Sequence, residues 1–332
     1  MASRFVVGEA DVPVSRPILI LGAPCSGTTW LGKIFDSHPN VLYRHEPDYR
    51  HPARPSVTGE ALRAELANWI SWRDLRTAGK RPFFRKSWQS APAFVLRDML
   101  SAALAAGACL PAVGSSFERA RLPDFVAIDR ARGLRPVLKS ITWCHGAAAF
   151  AHALPESRTV LILRHPCGQV ASVMRGARHR RFSLREAGTD MPYDEAQTME
   201  FAGSRGVGNA AFQALPNAAK YAWSWLAFNE AALDALAGQP NACTVLYEDL
   251  CARPEPMTRE LFAFAGLIWN PQTEAFLARS TSYTGRGGYY GVFQDTISVA
   301  ERWRGTMVPE DQAAVRAVVQ HSRLARLWPD LE

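Results

Sequence analysis

The chain has 332 residues, of which 48% are hydrophobic, and this is enough for the core of one large domain spanning residues 1–332. Its formal net charge of +7 suits an anionic ligand, although a solvated basic surface explains the charge equally well. The basic residues do not gather into a nucleic-acid-binding motif, and the 8 histidines and 6 cysteines lack the spacing of zinc ligands. We therefore expect neither nucleic acid nor a metal as a ligand.

The N-terminal residues 1–16 contain no apolar segment of signal-peptide length, and the apolar stretch 102–113 is too short to span a bilayer. The cysteines are scattered through the chain, which favours reduced thiols over a disulfide framework. We expect a soluble, cytoplasmic protein without a membrane span. The sequence leaves the oligomeric state open, and a homodimer is one of the alternatives.

The first chemical signal is a strand that breaks into a loop and restarts as a helix. Ile18–Leu21 is a short apolar run, and a loop rich in glycine, serine and threonine follows it up to a helix that starts near Thr28. Such a loop leaves backbone N–H groups unpaired at a helix N-terminus, where the helix dipole favours an anion. The hydroxyl groups of Ser26, Thr28 and Thr29 add further donors. The segment predicts a site for a phosphate-like group.

This loop differs from the loop that binds nucleoside triphosphates. The triphosphate pattern requires a lysine directly after its second glycine, where this chain has Thr28 after Gly27. We therefore expect a different anion.

A second strand-to-helix junction predicts a separate site for a monophosphate. The strand candidate Thr159–Leu163 ends at Arg164, and the helix candidate Val170–Arg178 carries Ser172 in its first turns. Arginine offers a two-pronged fork to phosphate, and a serine hydroxyl near a helix start adds another donor. The chain thus carries two candidate anion sites.

Together these motifs carry a family resemblance. The order Pro-x-Ser-Gly-Thr-Thr, then Arg-x-Pro and Ser, resembles the sulfotransferases that use 3′-phosphoadenosine 5′-phosphosulfate (PAPS) and release adenosine 3′,5′-bisphosphate (PAP). A strand ending at Lys139 and the later segments Tyr247–Leu250 and Phe264–Leu267 match the family in the same order. The resemblance implies that the first loop holds the phosphosulfate and the second junction holds the 3′-phosphate. It implies the following donor-binding residues: Pro24, Cys25, Ser26, Gly27, Thr28, Thr29, Trp30, Arg164, Ser172 and Arg286.

The resemblance also implies the fold, an α/β three-layer sandwich with a central parallel sheet of the P-loop-like sulfotransferase type. The alternation of elements agrees with it. Strand candidates are Ile18–Leu21, Val137–Lys139, Thr159–Leu163 and Cys243–Tyr247, and helix candidates are Thr28–Ser37, Val170–Arg178 and Lys220–Ala237. The segments 51–120 and 175–217 do not fit this alternation, and we expect them to form acceptor-binding or lid insertions.

Sulfonate transfer to a hydroxyl needs a base and a cation. Glu46 stands where a glutamate occurs in tyrosylprotein and many carbohydrate sulfotransferases, and we expect it to be the general base, with His45 as the second candidate. Lys139 matches a lysine that the family uses at the phosphosulfate. The histidine of the phenol and steroid branch stands two residues after that lysine, where this chain has Ile141. The alternatives are structural: a surface Glu46 paired to a neighbouring arginine, and a Lys139 turned to solvent.

Cys25 is the main departure from the family, because most relatives carry lysine or arginine in this position. A neutral thiol cannot stabilise the charge of the leaving group, so either Lys139, Lys33 or an arginine of a lid replaces that cation, or the enzyme is slow or specialised. The expected activity is in-line transfer of sulfonate from PAPS to a hydroxyl of a carbohydrate, lipid or secondary metabolite. Two alternatives stay open: a P-loop-type kinase, which the missing lysine disfavours, and a catalytically silent nucleotide-binding relative.

Overall fold

The computed structural model describes residues 16–50, 59–71, 81–108, 134–144, 146–178, 194–281 and 296–331. The predicted ligand Arg286 lies outside these ranges.

The centre of the structure is a five-stranded sheet in which every pair of neighbouring strands is parallel. The strands are β1 (Ile18–Leu21), β2 (Val41–His45), β3 (Arg135–Ser140), β4 (Arg158–Leu163) and β5 (Ala242–Leu246), in the spatial order β2-β3-β1-β4-β5. Because all strands run in one direction, the loops that follow them lie along a single edge, where ligands of open α/β sheets bind. The motifs after β1, β2, β3 and β4 therefore meet there.

Helices cover both faces of this sheet, as the alternation of buried residues along β1 requires. Leu19 and Leu21 belong to one hydrophobic core, whereas Ile18 and Ile20 belong to a second core on the opposite face. The described helices are α1 (Thr28–Asp36), α2 (Pro47–Arg50), α3 (Gly59–Ser71), α4 (Ala91–Ala108), α5 (Ala147–Ala153), α6 (Pro166–Arg178), α7 (Glu195–Gly203), α8 (Asn209–Ala214), α9 (Asn217–Leu236), α10 (Tyr247–Ala252), α11 (Pro254–Ala265), α12 (Pro271–Thr281), α13 (Thr296–Glu301), α14 (Trp303–Thr306) and α15 (Pro309–Val319). The predicted α/β sandwich with a central parallel sheet is confirmed.

The predicted elements exist, but some of their bounds differ. Helix α6 begins at Pro166, four residues before the predicted start, because proline's fixed φ and missing N–H suit the first helical position. Strand β5 ends at Leu246, and Tyr247 already belongs to α10. Strand β2 was not predicted, although all five of its residues are buried.

The two expected insertions contribute helices in their described parts. Segment 51–120 supplies α3 and α4, and segment 175–217 supplies α7 and α8. Their role around an acceptor stays a prediction. No helix in the described ranges is both long and apolar enough to cross a bilayer. No disulfide bond joins any two of the described cysteines, which are Cys25, Cys144, Cys167, Cys243 and Cys251.

Candidate active site

The loop between β1 and α1 contains backbone conformations that residues with a side chain rarely adopt. Cys25 and Gly27 both have positive φ angles, of 66° and 96°. A Cβ atom at Gly27 would lie 2.3 Å from the Tyr247 ring, so only glycine fits there without displacing that ring. Strain of this kind is typical of ligand-binding loops.

Three consecutive carbonyl groups of the loop accept hydrogen bonds from other groups of the protein. Ser26 donates its N–H and its hydroxyl to the Ala23 carbonyl, over 3.1 and 2.6 Å. Gln169 Nε2 lies 2.6 Å from the Pro24 carbonyl oxygen, and Arg164 Nη1 lies 2.9 Å from that of Cys25. Because these carbonyls are held by the protein, the loop keeps one fixed shape.

The backbone N–H groups at the start of helix α1 are available to bind an anion. The helical hydrogen-bond ladder begins with Leu31 N–H donating to the Gly27 carbonyl, over 3.1 Å, so the N–H groups of the first turn have no acceptor within the helix. Gly27 supplies no side-chain cap, and the first turn contains no acidic residue. This is the environment in which backbone N–H groups and the helix dipole hold phosphate or sulfonate oxygens.

Arg164 joins the second junction to the loop. Its guanidinium group donates to the carbonyls of Cys25 and Val299 and lies 4.6 Å from the centre of the Tyr247 ring. The side chain is only 6% exposed, and its Nε atom has no hydrogen-bond partner among the described residues. Ser172 lies nearby on α6 and accepts a hydrogen bond from Arg175 over 3.3 Å. The two predicted anion sites are thus in direct contact at one sheet edge.

A cluster of residues from α10, α14 and the segment after α15 fixes the tip of β4. The His165 ring stacks on Trp303 with centroids 4.4 Å apart, and its backbone N–H donates to Glu248 Oε1 over 3.0 Å. Trp328 donates to the other carboxylate oxygen of Glu248 over 3.2 Å. Burial lowers the pKa of His165 to about 4 despite the nearby carboxylate of Asp330, so this ring is neutral at physiological pH.

Glu46 and Lys139 meet at the ends of β2 and β3. His45 is paired with Lys139 in the sheet register, and the Glu46 N–H donates to the Lys139 carbonyl over 2.8 Å. The two side chains form an ion pair between Glu46 Oε1 and Lys139 Nζ. Lys139 is 2% exposed, so it is not a solvent-facing lysine, and Glu46 has a positive φ of 50°. A buried ion pair and a strained backbone at one position are typical of a functional site.

His45 is tied to a residue that the sequence did not single out. The Tyr43 hydroxyl lies 3.0 Å from His45 Nδ1, and His45 Nε2 lies 3.8 Å from Glu46 Oε1. Burial, with the charge of Asp36, raises the pKa of Tyr43, so its phenol keeps its proton. When this phenol donates to Nδ1, the ring proton resides on Nε2, which faces Glu46. In that arrangement Nδ1 accepts from Tyr43 and Nε2 carries the ring proton, which disfavours His45 as the base.

Asp48, two residues after Glu46, contacts the turn that follows β3, and sequence reasoning did not identify it either. Its Oδ2 atom accepts hydrogen bonds from the hydroxyl groups of Ser140, over 2.6 Å, and Thr142. These bonds join the segment after β2 to the turn after β3. Burial raises the pKa of the Asp48 carboxyl group.

The structure excludes Lys33 as a replacement for the cation that Cys25 lacks. Lys33 is fully buried and forms an ion pair with Asp36 in a cluster that also contains Lys86. The rings of Tyr43 and Phe84 surround its ammonium group at 5.4 and 5.3 Å. Its contacts are therefore structural, and Lys139 is the lysine at the site.

The remaining predicted loop residues divide by exposure. Thr28 and Trp30 are buried, and the Trp30 indole donates to the Ser280 hydroxyl over 3.2 Å, whereas Thr29 is half-buried. Trp30 therefore anchors α1. The sequence analysis included Trp30 among the donor-binding residues only through the family motif. Within the described ranges, no group of three or more histidine, cysteine or acidic residues is arranged to hold a metal ion.

Comparison with known proteins gives the class of this chain. Residues 17–271 match the sulfotransferase family, and this range includes both candidate anion-binding junctions and the Glu46–Lys139 pair. The chain therefore belongs to the sulfotransferase family and is a transferase.

The chain is also similar to individual proteins. Carbohydrate sulfotransferase 5 of Mus musculus is 26% identical over 310 residues, covering 87% of this chain and 75% of the relative. The sulfotransferase domain from the curacin biosynthetic pathway is 16% identical, covering 92% of this chain and 97% of that domain, with a TM-score of 0.44. Mouse sulfotransferase SULT7A1, complexed with PAP, is 13% identical, covering 94% of this chain and 87% of its own, with a TM-score of 0.41.

Proposed function

We propose that the chain transfers the sulfonate group of PAPS to a hydroxyl group of a small acceptor. The observation that carries this proposal is the hydrogen bond between Arg164 and the Cys25 carbonyl, because it brings the two anion-binding junctions to one site. One nucleotide with phosphate groups at both ends of its ribose can then reach both junctions. Membership of the sulfotransferase family supports the same donor.

The donor-binding residues fit an adenosine 3′-phosphate 5′-phosphosulfate. The first turn of α1, with Thr28 and Thr29, would hold the 5′-phosphosulfate through N–H and hydroxyl donors, whereas Ser26, whose N–H and hydroxyl both donate to the Ala23 carbonyl, would shape the loop. Arg164, whose buried Nε lacks a described partner, and Ser172 would hold the 3′-phosphate. Arg286 belongs to the same proposal through the family resemblance alone.

Glu46 and Lys139 would carry the chemistry. Glu46 accepts the proton of the acceptor hydroxyl while a bond forms between the acceptor oxygen and sulfur. The bond between sulfur and the bridging oxygen breaks in line with it, and the electron pair stays on the 5′-phosphate. Lys139 stabilises the charge on that leaving group, since a cysteine at position 25 supplies no positive charge. A positioned general base contributes about 10²–10⁴-fold to the rate, and the rest comes from orientation and electrostatics.

The acceptor class we propose first is a carbohydrate, because the curated relative is named a carbohydrate sulfotransferase. Lipid and secondary-metabolite hydroxyl groups are the other outcomes of the same assay. The cytoplasmic location and the single-domain organisation stay predictions.

The donor is tested by calorimetry, in which PAP is compared with ATP plus magnesium. We expect PAP to bind and ATP to bind much more weakly, because Thr28 replaces the lysine that a triphosphate needs. Transfer of sulfonate from labelled PAPS to a panel of sugars, lipids and phenols then tests the activity. Tight ATP binding without PAP binding would contradict the proposal, and PAP binding without transfer to any hydroxyl would indicate a silent relative.

A further inference from the structure

The two residues proposed for catalysis neutralise each other in the structure. Glu46 Oε1 and Lys139 Nζ are partners in one ion pair, yet the proposed reaction needs the carboxylate at the acceptor and the ammonium at the leaving group. A carboxylate held by an ammonium group is a weaker base, because its charged form is stabilised. Opening of the pair would therefore make Glu46 a stronger base for the acceptor hydroxyl.

The backbone holds this pair in place from both strands. The Glu46 N–H donates to the Lys139 carbonyl over 2.8 Å, and the positive φ of Glu46 turns its side chain at the very end of β2. Lys139 is enclosed, with its side chain 2% exposed, whereas the side chain of Glu46 is 23% exposed. The carboxylate is thus the accessible partner, and the ammonium group is the buried one.

The phosphosulfate end of the donor carries more negative charge than one carboxylate. A buried ammonium group placed between them moves towards the stronger anion, since electrostatic attraction grows with charge in a site of low dielectric constant. Lys139 lies in β3, the neighbour of β1, whose loop is the proposed phosphosulfate site. The Lys139 ammonium group and the proposed phosphosulfate site therefore lie at the same edge of the sheet.

We propose that the Glu46–Lys139 ion pair is a latch that donor binding opens. Lys139 exchanges the Glu46 carboxylate for the 5′-phosphate end of the donor, and the released carboxylate becomes the base for the acceptor. This inference rests on the proposed function. It makes the base active only after the donor is bound.

The latch predicts a measurable coupling, because Glu46 and the nucleotide compete for Lys139. Each partner should weaken the binding of the other to Lys139 by the same factor. Removing the negative charge of Glu46 frees Lys139 for the nucleotide. We expect Glu46→Gln to abolish transfer and to tighten PAP binding about 10-fold, within the usual range of coupling between sites. In a Lys139→Met background, the same Glu46→Gln change should leave the PAP affinity unaltered.

The experiment measures the dissociation constant of PAP by calorimetry for wild type, both single variants and the double variant. Glu274→Gln is the matched control, because it removes one exposed carboxylate elsewhere on the chain and should not change the affinity. Thermal melts establish that each variant is folded. These readouts do not depend on knowing the acceptor.

The outcomes separate this inference from the proposed function. Equal PAP affinities for wild type and Glu46→Gln, or weaker binding by the variant, would overturn the latch and leave the sulfotransferase proposal standing. Equal tightening in the Lys139→Met background would also overturn it, because the effect would then be general charge repulsion. Wild type that fails to bind PAP at all would refute the proposed function itself.

Discussion

Replacing Arg164 by leucine separates two roles that the structure gives to this side chain. Its guanidinium group donates to the Cys25 carbonyl over 2.9 Å and to the Val299 carbonyl over 3.2 Å, and we propose that it also binds the 3′-phosphate. A hydrogen bond to a charged group is worth about 1.5–3 kcal/mol. Loss of the 3′-phosphate contact should therefore weaken PAP binding by about 10- to 150-fold.

The assay compares PAP with adenosine 5′-monophosphate, which lacks the 3′-phosphate. Wild type should prefer PAP, and Arg164→Leu should lose most of that preference. Gln169→Leu is the control, because Gln169 also donates to a loop carbonyl, that of Pro24 over 2.6 Å, but has no proposed phosphate contact. It should weaken both nucleotides alike and preserve their ratio.

The reasoning fails if Arg164→Leu keeps the wild-type preference for PAP. Arg164 would then only hold the loop, and the 3′-phosphate would have to bind elsewhere. The same conclusion would follow if the two variants gave identical patterns with both nucleotides.

Three further predictions concern the loop and the core. Gly27→Ala should lower the free energy of unfolding by about 2–5 kcal/mol in urea titrations, since its Cβ meets the Tyr247 ring at 2.3 Å and its φ is positive; a change below 0.5 kcal/mol would contradict this. Although burial opposes ionisation, Lys33 and Lys86 hold the pKa of Asp36 down to about 2, below its ordinary value of 3.8. The carboxylate should therefore contribute about 2 kcal/mol above pH 4, lost as the pH falls through 2, and Asp36→Asn should show less acid-dependent loss in urea titrations at successive pH values. Cys25→Arg should raise turnover in the transfer assay by supplying a cation at the leaving group, and loss of turnover with intact PAP binding would refute this role for the position.

The centre of the fold was predictable because its signals are local. Ile18–Leu21 and Thr159–Leu163 are apolar runs that end in loop-forming residues, and such runs predict buried parallel strands. The loop between Gly22 and Thr28 was equally readable, since its composition alone indicates an uncapped helix start. Strand β2 was not predictable from the sequence, because Arg44 and His45 interrupt its apolar character, although both residues are buried in the structure.

Parts of the site depend on contacts between residues that are distant in the sequence. Asp48 binds the hydroxyl of Ser140, 92 residues away, and no local pattern relates the two. The burial of Lys33 was hidden for the same reason: its partner Asp36 is only three residues away, but Phe84 and Lys86, which complete the buried cluster, are distant in the sequence. Charged residues next to one another in sequence do not reveal which of them will be enclosed.

The donors of Arg164 and Gln169 to the loop carbonyls have a practical consequence for engineering. If a relative's basic phosphosulfate loop were grafted into this protein, the conformation of the new loop would have been set by hydrogen bonds to a different helix. A successful exchange of donor preference should therefore transplant the loop together with Arg164 and the first turn of α6.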